Sequence, residues 1–403
     1  MSFHFWGHVL NGREITVLGA GIGGLASAIA LAQRGAKVTV YEQAAEICEV
    51  GAGLQITPNG VAVLDALGLA TDIRQAGIAA RAVELRDYRR GALVVRLDMS
   101  SRPARRPYLL LHRADLIGLL AGAARACGVT IQLGCKATRV SEGVGATRVE
   151  FSDNRAVDAP LLIGGDGLHS RLRHELDGSG APFFTRQVAW RAMIEMADAD
   201  RRHVEVHMGP GRHVVTYPVR GGRLLNIVAV EEREEWAEEG WSQPGDAERL
   251  RASFSMFGSA LGDSLARVET VNMWGLFRHP VAKRWFGKHS ALVGDSAHPT
   301  LPFLAQGANL ALEDAWVLAE CLSRSGQDAA LAEYQRRRRA RVVRVIEAAN
   351  ANARNYHLRN PLVRLAAHSV LRAAGRVAPE RLIGRFDWIH DFDVTREGVT
   401  QHA

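Results

Sequence analysis

Lysine is scarce in this chain. Only Lys37, Lys136, Lys283 and Lys288 occur in 403 residues, so the formal charge of +7 rests almost wholly on arginine. Cysteine is scarce too: Cys48, Cys127, Cys135 and Cys321 form no C-x-x-C or C-x-x-x-x-C pair, which excludes a thiolate zinc cluster and paired-cysteine redox chemistry and points to reduced thiols. No apolar run is long enough to span a bilayer, and the most apolar stretch, residues 116–128, is broken by Arg125. The start, Met1-Ser2-Phe3-His4, has neither a charged n-region nor an apolar h-region, so a cytoplasmic protein without a transmembrane segment is expected. Disorder is excluded by 47% hydrophobic and 23% charged residues, and the length suits two to three domains at roughly 150 residues each. The densest basic run, Arg336 to Arg341, reads as the solvated face of a helix, and no nucleic-acid partner is expected.

The amino end reads as a β-α-β unit. Strand Glu14–Leu18 is followed by an apolar-periodic helix over residues 23–33 and strand Lys37–Tyr41, a pattern that calls for a parallel sheet covered on both faces. Segments 188–196, 203–208, 212–219 and 223–230 are short, β-rich and separated by glycine turns. They predict an antiparallel meander inserted into the first domain. The chain then returns to strand at 290–293 and continues as helix from 307 to 376.

Between the first strand and helix lies Gly19-Ala20-Gly21-Ile22-Gly23-Gly24, and Glu42 ends the next strand eighteen residues after Gly24. This context makes the glycines a dinucleotide fingerprint. Gly19 permits the tight turn, Gly21 lets the backbone approach a pyrophosphate at the helix N-terminus, and Gly24 lets helix and strand pack closely. Ala20 belongs to the same turn. Glu42 is placed to accept hydrogen bonds from ribose hydroxyls, and its charge disfavours a 2′-phosphate.

Two further motifs put an aspartate at a strand's carboxyl end, where open α/β sheets bind ligands: Asp166-Gly167 after Leu161-Leu162-Ile163, and Gly294-Asp295 after Ala291-Leu292-Val293. Either alone fits a strand-to-helix cap. Combined with the fingerprint, Ser170, Arg173 and the segment Pro299-Thr300-Leu301-Pro302-Phe303-Leu304-Ala305-Gln306-Gly307-Ala308-Asn309, they resemble the single-component FAD-dependent aromatic hydroxylases over about residues 13 to 345. The resemblance implies FAD as bound cofactor and NADH or NADPH as transient co-substrate. It places Asp295 on the flavin ribitol, makes Asp166-Gly167 serve both nucleotides, brings Arg113 to the cofactor and sets the Gly51-Ala52-Gly53 turn beside the flavin. Pro302 would lie at the flavin, and the helix opening at Gly307, Ala308 and Asn309 offers free N–H groups and a positive dipole end to a reduced flavin.

In Arg212-His213-Val214-Val215-Thr216-Tyr217-Pro218, a period of two puts His213, Val215 and Tyr217 on one face, with His213 and Tyr217 roughly 13 Å apart along the strand. That spacing suits two polar tips bracketing a small aromatic ring. The His-x-x-x-Tyr pattern is similar to the branch holding 3-hydroxybenzoate 6-hydroxylase, 6-hydroxynicotinate 3-monooxygenase and salicylate hydroxylase-like enzymes. The resemblance implies His213 as base and Tyr217 as orienting group, with the electron-rich ring of a phenolic or hydroxypyridine carboxylate attacking the distal oxygen of the flavin C4a-hydroperoxide formed with O2. A packed core histidine and tyrosine fit the same pattern. Which arginine would hold the carboxylate is not marked in the sequence, Arg191 and Arg212 being two candidates, and substrate, coenzyme preference and a homodimeric state stay open. So do a polyprenyl-phenol hydroxylase of the ubiquinone pathway and a non-catalytic basic flavoprotein.

The expected fold is α/β: a discontinuous Rossmann-like FAD-binding domain (13–78, 103–180, 280–345), an inserted antiparallel-sheet substrate domain (79–102, 181–279) and C-terminal helices (346–403). No metal site is expected.

Overall fold

Alternation of β-branched residues in Ile15, Val17, Val38 and Val40 builds the first two strands, and in the computed structural model these sit at the heart of the parallel sheet. The structure describes residues 10–47, 52–101, 106–178, 180–196, 200–235, 239 and 243–396. The sheet has five strands in the order Ser290–Leu292, Leu162–Gly164, Glu14–Leu18, Lys37–Tyr41 and Thr130–Gln132. All its neighbours are parallel. The fingerprint helix, Ile22–Ala32, buries Leu25 and Ile29 completely and packs between helices Arg113–Ala126 and Gly307–Arg324.

Strand-end geometry brings the glycine-rich turns together. Gly19 has φ +91°, and a Cβ there would lie 2.4 Å from the Gly165 carbonyl oxygen, so any side chain would drive the first and second motifs apart. A Cβ on Gly24 would lie 2.0 Å from the Gly19 oxygen, which is the close helix-to-strand packing expected of that position.

An eight-stranded sheet forms the second layer. Its strands Phe183–Glu195, His203–Gly209, Arg212–Val219 and Leu224–Glu232 match the four predicted segments, but only the last three form a meander. Phe183–Glu195 pairs with Leu224–Glu232 instead of its sequence neighbour. Strand Ala82–Asp87 joins the far side parallel to His203–Gly209, a pairing that local periodicity cannot encode. Among the described residues, no helix is long and apolar enough to cross a membrane.

The helical stretch divides into Gly307–Arg324, Gln327–Tyr356 and Pro361–Val377. The arginine run on the second of these is not a solvated face, contrary to the expectation. Arg336 is 73% exposed, but Arg338 is 1% exposed and ion-paired with both Glu313 and Asp314. Arg341 chelates Glu313 through two 2.8 Å hydrogen bonds, and Arg337 pairs with Glu320. The reason lies on the facing helix: Glu313 and Asp314 are wholly buried, and buried carboxylates persist only with a counter-charge.

Candidate active site

The cleft grows out of the carboxyl ends of the parallel strands. At one end, Gly19, Ala20, Tyr41, Glu42, Lys136 and Asp166 line it. At the other, the lining includes Gly53, Arg191, His213, Tyr217, Pro302, Gly307 and Ala308. Gly21, Arg113, Gly165, Gly167 and Asp295 border both ends, so the two form one continuous groove.

Each anchor has a local cause. Glu42 accepts the Ala20 N–H at 2.7 Å and the Ala44 N–H at 2.8 Å, which fixes its carboxylate at this end of the groove. Gly167 N–H donates to Ser296 Oγ (2.9 Å), whose hydroxyl donates to Asp166 Oδ1 (3.2 Å), so one serine ties together two strand-end loops far apart in sequence. Ser170 caps its short helix by accepting Arg173 N–H, and the Arg173 guanidinium holds the Pro280 carbonyl. Beneath the Gly294-Asp295 turn, Asp314 accepts the Gly294 N–H at 3.0 Å and pairs with His298. Burial pushes the Asp314 pKa up, but His298 and Arg338 outweigh it and hold the carboxyl at about 2.

The far wall is the eight-stranded sheet. His213, Val215 and Tyr217 face the groove together with Val228, Val230 and Arg191 from neighbouring strands, as a period of two requires. Gly53 is held by donation of its N–H to Asn226 Oδ1 (2.8 Å), and a Cβ there would stand 2.7 Å from Tyr217 Cε2. Only glycine admits this approach of the loop to the sheet; Gly51 of the same turn lies outside the described residues. Burial raises the Tyr217 pKa to about 12, so its hydroxyl stays a donor. Burial and His357 hold the His213 imidazole well below its ordinary value, keeping it neutral.

The groove suits a long dinucleotide. A Cβ added to Gly21 would meet no protein atom within 4 Å, so it would project into the groove where a pyrophosphate needs bare backbone. The Asp295 carboxylate, which burial pushes towards protonation, accepts no hydrogen bond from any described residue and is available to ligand hydroxyls. The N-terminus of helix Gly307–Arg324 opens onto the same space after a left-handed turn at Ala305 (φ +53°).

A family profile, FAD binding domain, matches residues 13–349. The 3-amino-4-hydroxybenzoate 2-monooxygenase of Streptomyces cremeus is 37% identical over 354 residues, 86% of this chain and 88% of that one. The 3-hydroxybenzoate 6-hydroxylase of Polaromonas naphthalenivorans is 32% identical over 94% of this chain and 96% of its own. The structure of Klebsiella pneumoniae HpxO with FAD and uric acid superposes with a TM-score of 0.80 at 28% identity, covering 94% of this chain and 96% of HpxO. The chain belongs to the FAD-dependent aromatic hydroxylases.

Within this hydroxylase, the structure separates residues that sequence reasoning had grouped. Arg191 lines the groove and stacks on Trp274, with 5.0 Å between guanidinium carbon and ring centroid. Arg212 points to the sheet's other face, where it bonds the Ser253 carbonyl and stacks on Phe254. Asn309 was expected to offer its backbone N–H at the helix start, and its side chain turns away from the groove. Its buried side chain accepts the Thr57 N–H at 3.0 Å and donates to the Gln55 carbonyl at 3.2 Å, fastening the wall instead of facing the ligand. Gln55, Asn226, His298 and Arg338 were missed. Arg338 had a legible signal, since it sits four residues after Tyr334 and four before Val342 on an apolar helical stripe.

Proposed function

We propose that this FAD-dependent monooxygenase hydroxylates a small phenolic or hydroxypyridine carboxylate with O2, using NADH or NADPH as reductant. The observation that carries the reading is a sheet wall that presents His213, Tyr217 and Arg191 to the groove that suits FAD. The named activities of the Streptomyces and Polaromonas relatives, both on hydroxybenzoates, support it. Bound FAD supplies hydride acceptance and oxygen transfer; the chain supplies position and proton handling. In this reading Glu42, Gly21 and Asp295 hold the nucleotide along the groove, and Arg113 and the Gly307 helix end face the flavin. His213 takes the phenolic proton, which raises electron density at the ring carbons ortho and para to the oxygen. Tyr217 donates a hydrogen bond to the far side of the ring, and Arg191 pairs with the carboxylate. The proposed division into a FAD-binding part and a substrate part is supported by the two large sheets falling on either side of it. With the arginine run spent largely on internal ion pairs, the basic-flavoprotein alternative loses the feature that motivated it.

The test is a panel of hydroxybenzoates, hydroxynicotinates and polyprenyl phenols assayed for stimulated NAD(P)H oxidation with product identification. A polyprenyl product, or no aromatic product at all, would overturn the proposal. Asp295→Ala is expected to weaken FAD retention about 10- to 100-fold, since a hydrogen bond to a charged group contributes roughly 1.5–3 kcal/mol; flavin release on dilution measures it. Arg191→Met is expected to raise the substrate KM by a similar 10- to 100-fold while kcat changes little, because its pairing is made equally in the ground and transition states. Steady-state kinetics with a carboxylate substrate and its carboxamide would check this, and an unchanged KM would move the carboxylate site elsewhere.

A further inference from the structure

Helix Gln327–Tyr356 ends beside His213 of the substrate strand, and the next residue, His357, is buried there. Its Nε2 lies 2.7 Å from His213 Nδ1. Its Nδ1 lies 3.0 Å from Glu232 Oε1 at the end of strand Leu224–Glu232. Glu232 is 30% exposed, and its other oxygen accepts Arg359 Nε–H at 2.9 Å. His357 and Glu232 border a separate outer cleft with Gln187, Arg278 and Asn350, whereas His213 faces the groove. The three side chains therefore run along the groove-side face of the sheet, from the reaction space to the outer cleft.

Hydrogen-bond polarity fixes the protons along this line. An ionised carboxylate only accepts, so neutral His357 must carry its proton on Nδ1. Its Nε2 is then an acceptor, and His213 must donate from Nδ1. The remaining nitrogen, His213 Nε2, bears a lone pair and makes no hydrogen bond to any described residue.

We propose that Glu232 and His357 are positioning residues that set His213 Nε2 as the proton acceptor and carry the substrate's proton out of the active site. The inference rests on the function proposed above. His213 Nε2 accepts the phenolic proton, His213 Nδ1–H passes its proton to His357 Nε2, and His357 Nδ1–H passes its own to the Glu232 carboxylate and on to water. No charge accumulates on either imidazole. Running the sequence in reverse protonates the product phenolate and restores the starting tautomers. The charged and titratable groups around the pair are Glu232, Arg359, Arg212 and Tyr356; burial of His357 outweighs Glu232 and keeps it in the neutral form that the relay requires.

The decisive variant is His357→Gln, whose amide oxygen can still accept from His213 Nδ1 but cannot pass a proton on. The expected result in FAD-loaded protein is a 10- to 100-fold lower kcat at pH 7, with substrate KM and flavin content within about twofold of wild type. Activity should recover as pH approaches the phenol's own pKa near 10. A merely structural role would lower activity at every pH and disturb KM. A second measurement needs no turnover: long-range proton–nitrogen correlation of the histidine rings in resting holoenzyme, assigned with His213→Gln and His357→Gln. It should show His213 with its proton on Nδ1, shifting towards Nε2 in Glu232→Leu. A proton on His213 Nε2 in the wild type, or wild-type kcat at pH 7 in His357→Gln, overturns the relay. If the wild type hydroxylates no phenolic carboxylate while His213 carries its proton on Nδ1, the substrate reading fails and the tautomer assignment is upheld.

Discussion

Arg338→Ala is expected to lower unfolding stability by about 3–5 kcal/mol and to loosen FAD, whereas Arg336→Ala, one turn-half away, should change stability by less than about 0.5 kcal/mol. The two arginines lie two residues apart in one charge run but differ in environment. Arg338 Nε donates to Asp314 Oδ1 at 2.8 Å, its Nη1 is 2.6 Å from Glu313 Oε2, and all three groups are buried. Truncation would leave Glu313 still held by Arg341 and by Asn59 Nδ2 at 2.7 Å, and would leave Asp314 with His298 but without Arg338. With one of its two cationic partners gone, that buried carboxylate is pushed to protonate, take in water or move. Because Asp314 also accepts the Gly294 N–H, movement reaches the turn that carries Asp295. Denaturant midpoints and flavin content of the two variants measure both effects. Equal midpoints would mean that the buried network contributes nothing to stability beyond a surface arginine.

His213→Ala is expected to slow hydroxylation about 10²- to 10⁴-fold at neutral pH, the usual contribution of a positioned general base, while FAD content and flavin reduction by NAD(P)H stay near wild type. A free phenol ionises near pH 10 and is a weak nucleophile below it; a histidine kept neutral can take its proton at pH 7. Burial with His357 beside it lowers the His213 pKa, so the wild-type base remains deprotonated through the neutral range and into mildly acidic solution. In the variant, water must accept the proton, so the rate should climb with pH towards the substrate's own pKa. Single-turnover kinetics at several pH values separate this from loss of binding. A wild-type rate at pH 7 would make His213 a packed residue of the sheet, 2% exposed and without a proton-transfer role.

Both predictions concern residues visible in the sequence, but the buried pairing of Arg338 was not legible there. The fingerprint glycines, Glu42, the two strand-end aspartates and the common face of His213, Val215 and Tyr217 were legible because each depends on local periods: a turn of fixed length, a strand's alternation, a helix start. Such patterns fix which way a side chain points within a few residues of chain. They also sufficed to anticipate the parallel sheet, because a strand, glycine turn and helix leave the next strand few places to go. What meets a given face from a distance is not encoded locally. The buried pairing of Arg338 with Glu313 and Asp314, the placing of Arg191 rather than Arg212 at the groove, the turning of the Asn309 side chain into the wall and the arrival of His357 beside His213 all join elements separated by long stretches of chain. A charged side chain reads as solvated until its counter-charge is found, and only the packed tertiary structure supplies that partner.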